Sequence, residues 1–286
     1  MTETPTTWRN ISVFLDDTPS GKLLAEHAAT LAQRFGALLV GIFCPTMAPP
    51  DHAADCFVRG KDAIDAVIDR RRAALEERTA AVSRSLAELA ARHGIETELR
   101  VVPDGSPDQE PLVTWLHGDL VILGFPKGHG LPQSWTPEKI LLGSGVPTLL
   151  IPDAWPTPPI GGTAVVAWNG SREARRAIAD AMPMLIQAQA VTLLVVDAEA
   201  RPGRFGAEPG AAMASHLARH GVHVDVEQAH SNGRSVADII TDCARAKGAS
   251  LIVIGAYSRA RMVEAIFGGV TRTLLGGGPL PLLVSC

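Results

Sequence analysis

The residues best suited to chemistry in this 286-residue chain lie in short polar turns that follow apolar runs. In the second half, Trp168-Asn169-Gly170-Ser171 follows Thr163–Ala167, and Gly255-Ala256-Tyr257-Ser258-Arg259 follows Leu251–Ile254. Further on, Gly268-Gly269-Val270-Thr271 opens a final helical pattern. Glycines at such places let backbone N–H groups approach an anion, and a helix N-terminus favours negative charge. Arg259 adds a guanidinium suited to phosphate. The same glycines also suit a purely structural loop. In the first half the counterparts are Asp16 and Thr18, after Ile11–Leu15, with Gly124 and Lys127 after Asp119–Leu123. There Pro126 has no N–H to donate. Gly128-His129-Gly130 and Lys127 still offer an anion contact, but scaffold is the expected role of this half.

Several kinds of chemistry have no residues to carry them. The chain lacks the Gly-x-x-x-x-Gly-Lys-Ser/Thr phosphate loop and the Gly-x-Gly-x-x-Gly dinucleotide turn. Neither a Gly-x-Ser-x-Gly nucleophile elbow nor a catalytic cysteine motif occurs. No catalytic residue is expected, and a weak ATPase would lack a water-activating base. His216, His220 and His223 are spaced four and three apart, but the helix is expected to end at Gly221 and no Cys or carboxylate completes a metal set. Solvent-facing histidines and no metal site are the expectation. The cysteines at 44, 56, 243 and 286 show no CxxC spacing and read as free thiols. With 26 Lys+Arg against 30 Asp+Glu, the net charge of −4 argues against a nucleic-acid binder. The apolar runs are too short to span a bilayer and the N-terminus lacks a signal pattern, so a cytoplasmic location is expected.

These turns are positioned by two copies of one pattern. Ile11–Leu15 matches Thr163–Ala167, Ala37–Phe43 matches Ala190–Val196, and His93-Gly94-Ile95 matches His220-Gly221-Val222. The clearest pair is Gly118-Asp-Leu-Val-Ile-Leu-Gly124 against Ala249-Ser-Leu-Ile-Val-Ile-Gly255. The strands are short, continuous and rich in Val, Ile and Leu, as when both faces are covered. Alternation with helices gives an α/β chain of two tandem doubly wound parallel-sheet domains, about five strands each, with ligands over the carboxyl ends of the strands. The prolines of Pro152–Gly162 mark the joint, giving domains at 1–152 and 160–286. The first half carries a balance of −5 and the second +1. A long helix, roughly Lys61 to Arg92, holds Arg70-Arg71-Arg72 on what reads as a solvated face.

The strand-Asp-turn-helix opening, with Gly-x-x-Gly, nine residues and Gly-Ser/Thr near the end, resembles the universal stress protein family, twice over. The resemblance implies a Rossmann-like fold of the adenine-nucleotide α-hydrolase type. It also implies a non-catalytic stress-response role and, in members with the full motif, binding of ATP or AMP, with Mg accompanying ATP. Carried over, the nucleotide residues are Asn169, Gly170, Ser171, Gly255, Ser258, Arg259, Gly268, Gly269, Val270 and Thr271. The second half departs from the motif at three of these. Asn169 stands for Asp, Ser258 for the second glycine and Gly269 for Ser or Thr. Those departures favour the alternative, a nucleotide-free protein-interaction module. Family members pair through their last strand. The runs Pro147–Ile151 and Pro281–Val284 are therefore expected to join the halves as an intramolecular pseudo-dimer, since each is otherwise an exposed apolar edge. A homodimer of chains rests on no specific residue, and protein partners have no residues to identify them.

Overall fold

The computed structural model describes residues 7–45, 61–102, 117–125, 128, 130–132, 135–153, 155–156, 159–200, 203–256 and 269–286. In the first half, β1 (Asn10–Leu15), β2 (Leu38–Phe43), β3 (Thr97–Val101), β4 (Leu120–Phe125) and β5 (Thr148–Pro152) accompany α1 (Pro19–Phe35), α2 (Lys61–His93) and α3 (Pro137–Ser144). The second half repeats this with β6 (Thr163–Ala167), β7 (Ala190–Val196), β8 (Val224–Ala229), β9 (Leu251–Gly255) and β10 (Leu282–Ser285). Its helices are α4 (Arg172–Gln187), α5 (Ala211–Arg219), α6 (Val236–Ala246) and α7 (Gly269–Leu275).

Each half orders its strands in the same doubly wound way, and all neighbours within a half are parallel. The two sets join edge to edge into one sheet, β3-β2-β1-β4-β5-β10-β9-β6-β7-β8. The junction is the antiparallel pair β5–β10, with Leu283 opposite Leu149, Val284 opposite Thr148 and Leu282 opposite Leu150. The apolar edges seen in the sequence are thus covered by each other, removing the rows of unpaired N–H and C=O groups they would otherwise present.

The strands bury both faces. Inward residues of β1, such as Ile11 and Val13, join Leu24, Ala28, Leu86, Ile178 and Leu217 in one core layer. Phe14, Leu123, Ile140, Ile240, Ile254 and Leu274 build the other. Helices therefore sandwich the sheet, and both layers run through both halves.

Helix starts follow from their caps. Thr18 Oγ1 accepts from the Gly21 N–H at 3.0 Å, and Pro19 follows with its φ already helical. Ser171 Oγ accepts from the Ala174 N–H at 3.1 Å in the same way. Arg34 and Gln187, at the same place along α1 and α4 counted from those caps, meet each other, with Arg34 Nε donating to Gln187 Oε1 at 2.6 Å. The proline-rich joint is packed. Trp155 and Ile160 are buried, the Trp155 carbonyl lies 3.3 Å from His27 Nε2, and Arg34 Nη1 donates to the Ile160 carbonyl at 2.8 Å. Among the described residues no helix is long and apolar enough to cross a membrane.

Candidate nucleotide site

In the second half, the chain leaves β6 toward β7 on one side and leaves β9 toward β10 on the other. In doubly wound sheets, ligands sit over the carboxyl ends of the strands at such a switch point, here β6 and β9. On its β6 side, Asn169 Oδ1 accepts the Ser171 N–H at 3.0 Å, closing an Asx turn, and Gly170 takes a left-handed φ of 67°. The Ser171 hydroxyl caps α4, so the side-chain oxygens of both Asn169 and Ser171 hold the turn itself.

On the β9 side, Gly255 marks a close approach. A Cβ there would stand 2.3 Å from the Glu173 carbonyl carbon and 2.4 Å from the Ala174 nitrogen. The absent side chain lets the end of β9 pack against the first turn of α4. Glu173, buried in that turn, takes Arg172 Nε at 2.6 Å. Burial alone would raise its carboxyl, but hydrogen bonds from Arg172, its own N–H and the Ser171 hydroxyl outweigh this and hold it below the usual carboxylate range.

Two further residues reach this end of the sheet from the segment after β7. Asp197 adopts a left-handed φ of 51° and its Oδ1 accepts the Ser231 N–H at 2.8 Å. Arg204 is exposed and lies across Gly170, its Cγ 3.1 Å and its Nε 3.4 Å from where a Gly170 Cβ would be. Neither is legible in the sequence, because Arg204 meets Gly170 only through the path of the chain after β7, and Asp197 meets Ser231 only once β8 lies beside β7.

Of the remaining residues expected at the site, Gly269 is exposed and opens α7. Val270 packs partly buried against the core and Thr271 is buried. Ser258, Arg259 and Gly268, and Lys127 in the first half, lie outside the described residues.

The first half forms a related turn with different consequences. Asp16 Oδ1 accepts the Thr18 N–H at 3.0 Å and the Thr18 hydroxyl at 2.6 Å. Gly124 lies near the end of β4. It lines a small cleft with Ser20, Leu23, His27, Pro152 and Asp153. Above β1, Gly130 with φ of 73° is seated on the strand, where a Cβ would come within 2.7 Å of the Leu15 carbonyl oxygen. Gly130 thus covers the end of β1.

The histidines do not assemble a metal centre. His216 and His220 touch edge to face on α5 at 4.7 Å, and His223 directly precedes β8. Among the described residues no group of three or more His, Cys, Asp or Glu could hold a metal ion. Burial pushes the Cys44 thiol up to about 12 and the Cys243 thiol up to about 11, which makes both poor nucleophiles.

With ATP as the expected ligand, the second-half turn fits in part. It presents the Asn169 amide, a left-handed glycine turn and a nearby cation, but no carboxylate in place of Asn169.

Among solved structures, a universal stress protein from Archaeoglobus fulgidus covers 96% of this chain and 95% of its own, with a TM-score of 0.63 at 15% identity. A protein of unknown function from Pseudomonas aeruginosa covers 97% and 92%, with a TM-score of 0.57 at 19% identity. Both show that the whole two-part fold is shared. No curated protein matches the chain. Residues 162–285, which hold the β6 turn, the end of β9 and β10, match the model of the Universal stress protein family, so it is this second half of the chain that is similar to that family.

Proposed function

We propose that this chain is a non-catalytic, cytoplasmic stress-response protein whose second half, 160–286, binds one adenine nucleotide, ATP or AMP. The first half, 1–152, is a scaffold joined to it as an intramolecular pseudo-dimer. The observation that carries this reading is the asymmetry at corresponding strand ends. Gly130 lies on the Leu15 backbone in the first half, whereas in the second half the described residue across Gly170 is an exposed arginine side chain. Asn169 can hydrogen-bond a base or ribose through its amide, and Gly269 leaves space at the start of α7. If ATP is the ligand, Mg would neutralise its phosphates, and Ser171 and Asn169 would hold the turn beneath the nucleoside.

Titration calorimetry of the full chain with ATP and AMP tests this. One site per chain is expected. No heat at millimolar nucleotide overturns the reading, and two sites per chain overturn the scaffold role of the first half. The second reading, a nucleotide-free interaction module, has its own support: the Asn169 and Ser171 oxygens are already engaged within the turn, and Thr271 is buried. Capture of a protein partner unaffected by nucleotide would favour it.

A further inference from the structure

We infer that Arg204 is a binding residue of the second-half site, stacking its guanidinium on the purine ring of the bound nucleotide. This rests on the adenine-nucleotide reading above and adds a contact that the sequence pattern does not contain. Arg204 sits on the segment that follows β7, on the opposite side of β6 from Gly255 and the start of α7. The phosphate end of a nucleotide belongs to the Gly255 side in that reading, which places the base toward β7, beneath Arg204.

The contact geometry supports a stacking role. The Arg204 stem rests on Gly170, with Cγ and Nε at 3.1 and 3.4 Å from a hypothetical Cβ, so any side chain at 170 would push the arginine away. Gly170 is therefore required twice, for its left-handed backbone and for the space Arg204 occupies. The side chain lies against Gly170 from Cγ to Nε, while the residue as a whole is exposed. Among the described residues it makes no ion pair, although Arg172, Arg176 and Arg234 are each paired with a carboxylate. A planar, weakly hydrated cation held by its stem beside an amide that can read a base edge is suited to an aromatic face.

The test compares wild type, Arg204→Ala and Arg204→Lys as full chains, by calorimetry with adenosine, AMP and ATP. Because Arg204 is exposed, all three should share one circular dichroism spectrum and one melting temperature. Arg204→Ala is expected to weaken all three ligands by a similar factor, about fivefold. Arg204→Lys should recover only part of the loss, because an ammonium lacks the planar face. A loss that grows from adenosine to ATP overturns stacking in favour of a phosphate contact. Unchanged affinities in Arg204→Ala, with wild type binding, overturn the inference alone. Absence of wild-type binding removes it together with the reading on which it rests.

Discussion

The two turns that follow β1 and β6 began as the same device and now do different work. Both fold a side-chain oxygen back onto an N–H two residues on, Asp16 to Thr18 and Asn169 to Ser171, each at 3.0 Å. Both cap the next helix with a hydroxyl. In the first half the carboxylate leans over the start of α1, so close that a Cβ on Gly21 would lie 1.8 Å from Asp16 Oδ1. The corresponding place in the second half is Ala174, which packs under Gly255 instead. A glycine thus makes room for the Asp16 carboxylate in one copy and for the α4 backbone in the other. The cover over the strand ends follows the same division, because Gly130 rests on β1 whereas Arg204 lies across Gly170 after β6.

The largest test of this division is Gly255→Val. Its branched side chain would meet α4 backbone, which has no way to yield, and the substitution should cost about 3 kcal/mol or more. Urea unfolding should show the second half lost first. A change below 1 kcal/mol would mean that the strand end and α4 are not locked together.

Next is the seam. Arg34 donates to Gln187 and to the Ile160 carbonyl, tying α1 to its counterpart helix and to the joint. Arg34→Ala removes two charge-assisted hydrogen bonds and should cost about 2 kcal/mol. Differential scanning calorimetry should then show the single unfolding transition begin to split. Gln187→Ala should do less, since Arg34 keeps its second partner.

Much of this architecture was legible in the residues themselves. The Val, Ile and Leu runs marked eight of the ten strands, the polar outer strands β3 and β8 excepted, Thr18 and Ser171 marked helix starts, and the apolar β5 and β10 edges demanded a cover that each supplies to the other. The site was less legible because its glycines are ambiguous by type. Gly255 reads equally as room for an anion or room for a helix, and only the 2.3 Å approach to Glu173 identifies the second use. Arg204 carried no signal, because its partner Gly170 lies 34 residues earlier and the contact exists only once β7 is in place.

A subtler test lies in the first turn of α1. Gly21→Ala alone would gain helix propensity, but forces Asp16 outward and breaks its bonds to Thr18, a net loss of about 1 kcal/mol. With Asp16→Ala in place, the same Gly21→Ala should stabilise by about 0.5 kcal/mol. A double-mutant cycle in thermal unfolding reads this sign reversal. Additive effects would show that Asp16 does not govern the turn.

The smallest expected effect is a pH dependence confined to one copy. His27 on α1 and Asp180 on α4 occupy corresponding places, but only the first is a histidine, buried and bonded to the Trp155 carbonyl of the joint. Burial holds its pKa below the ordinary value, against smaller opposing contributions from the Trp155 carbonyl and the neighbouring Glu26. The folded state therefore favours neutral His27, while the unfolded chain takes up its proton at an ordinary histidine pKa. Stability from this group is complete above that unfolded value and falls as pH drops through it. Glu26 has the opposite kind of shift for its type. Burial raises it, but His93 and Arg92 more than compensate, so its contribution is lost only in the acid range of carboxylates and does not overlap. His216 is also lowered, by burial and by the charges of His220, Arg219 and Arg175, and adds a slope of the same sign. The informative quantity is therefore the difference between wild type and His27→Gln, in unfolding free energy, from pH 7.5 to pH 5.5. Wild type should lose more stability over that interval than the variant. Parallel curves would mean that His27 is charged in the fold, and that its bond to the joint survives acidification.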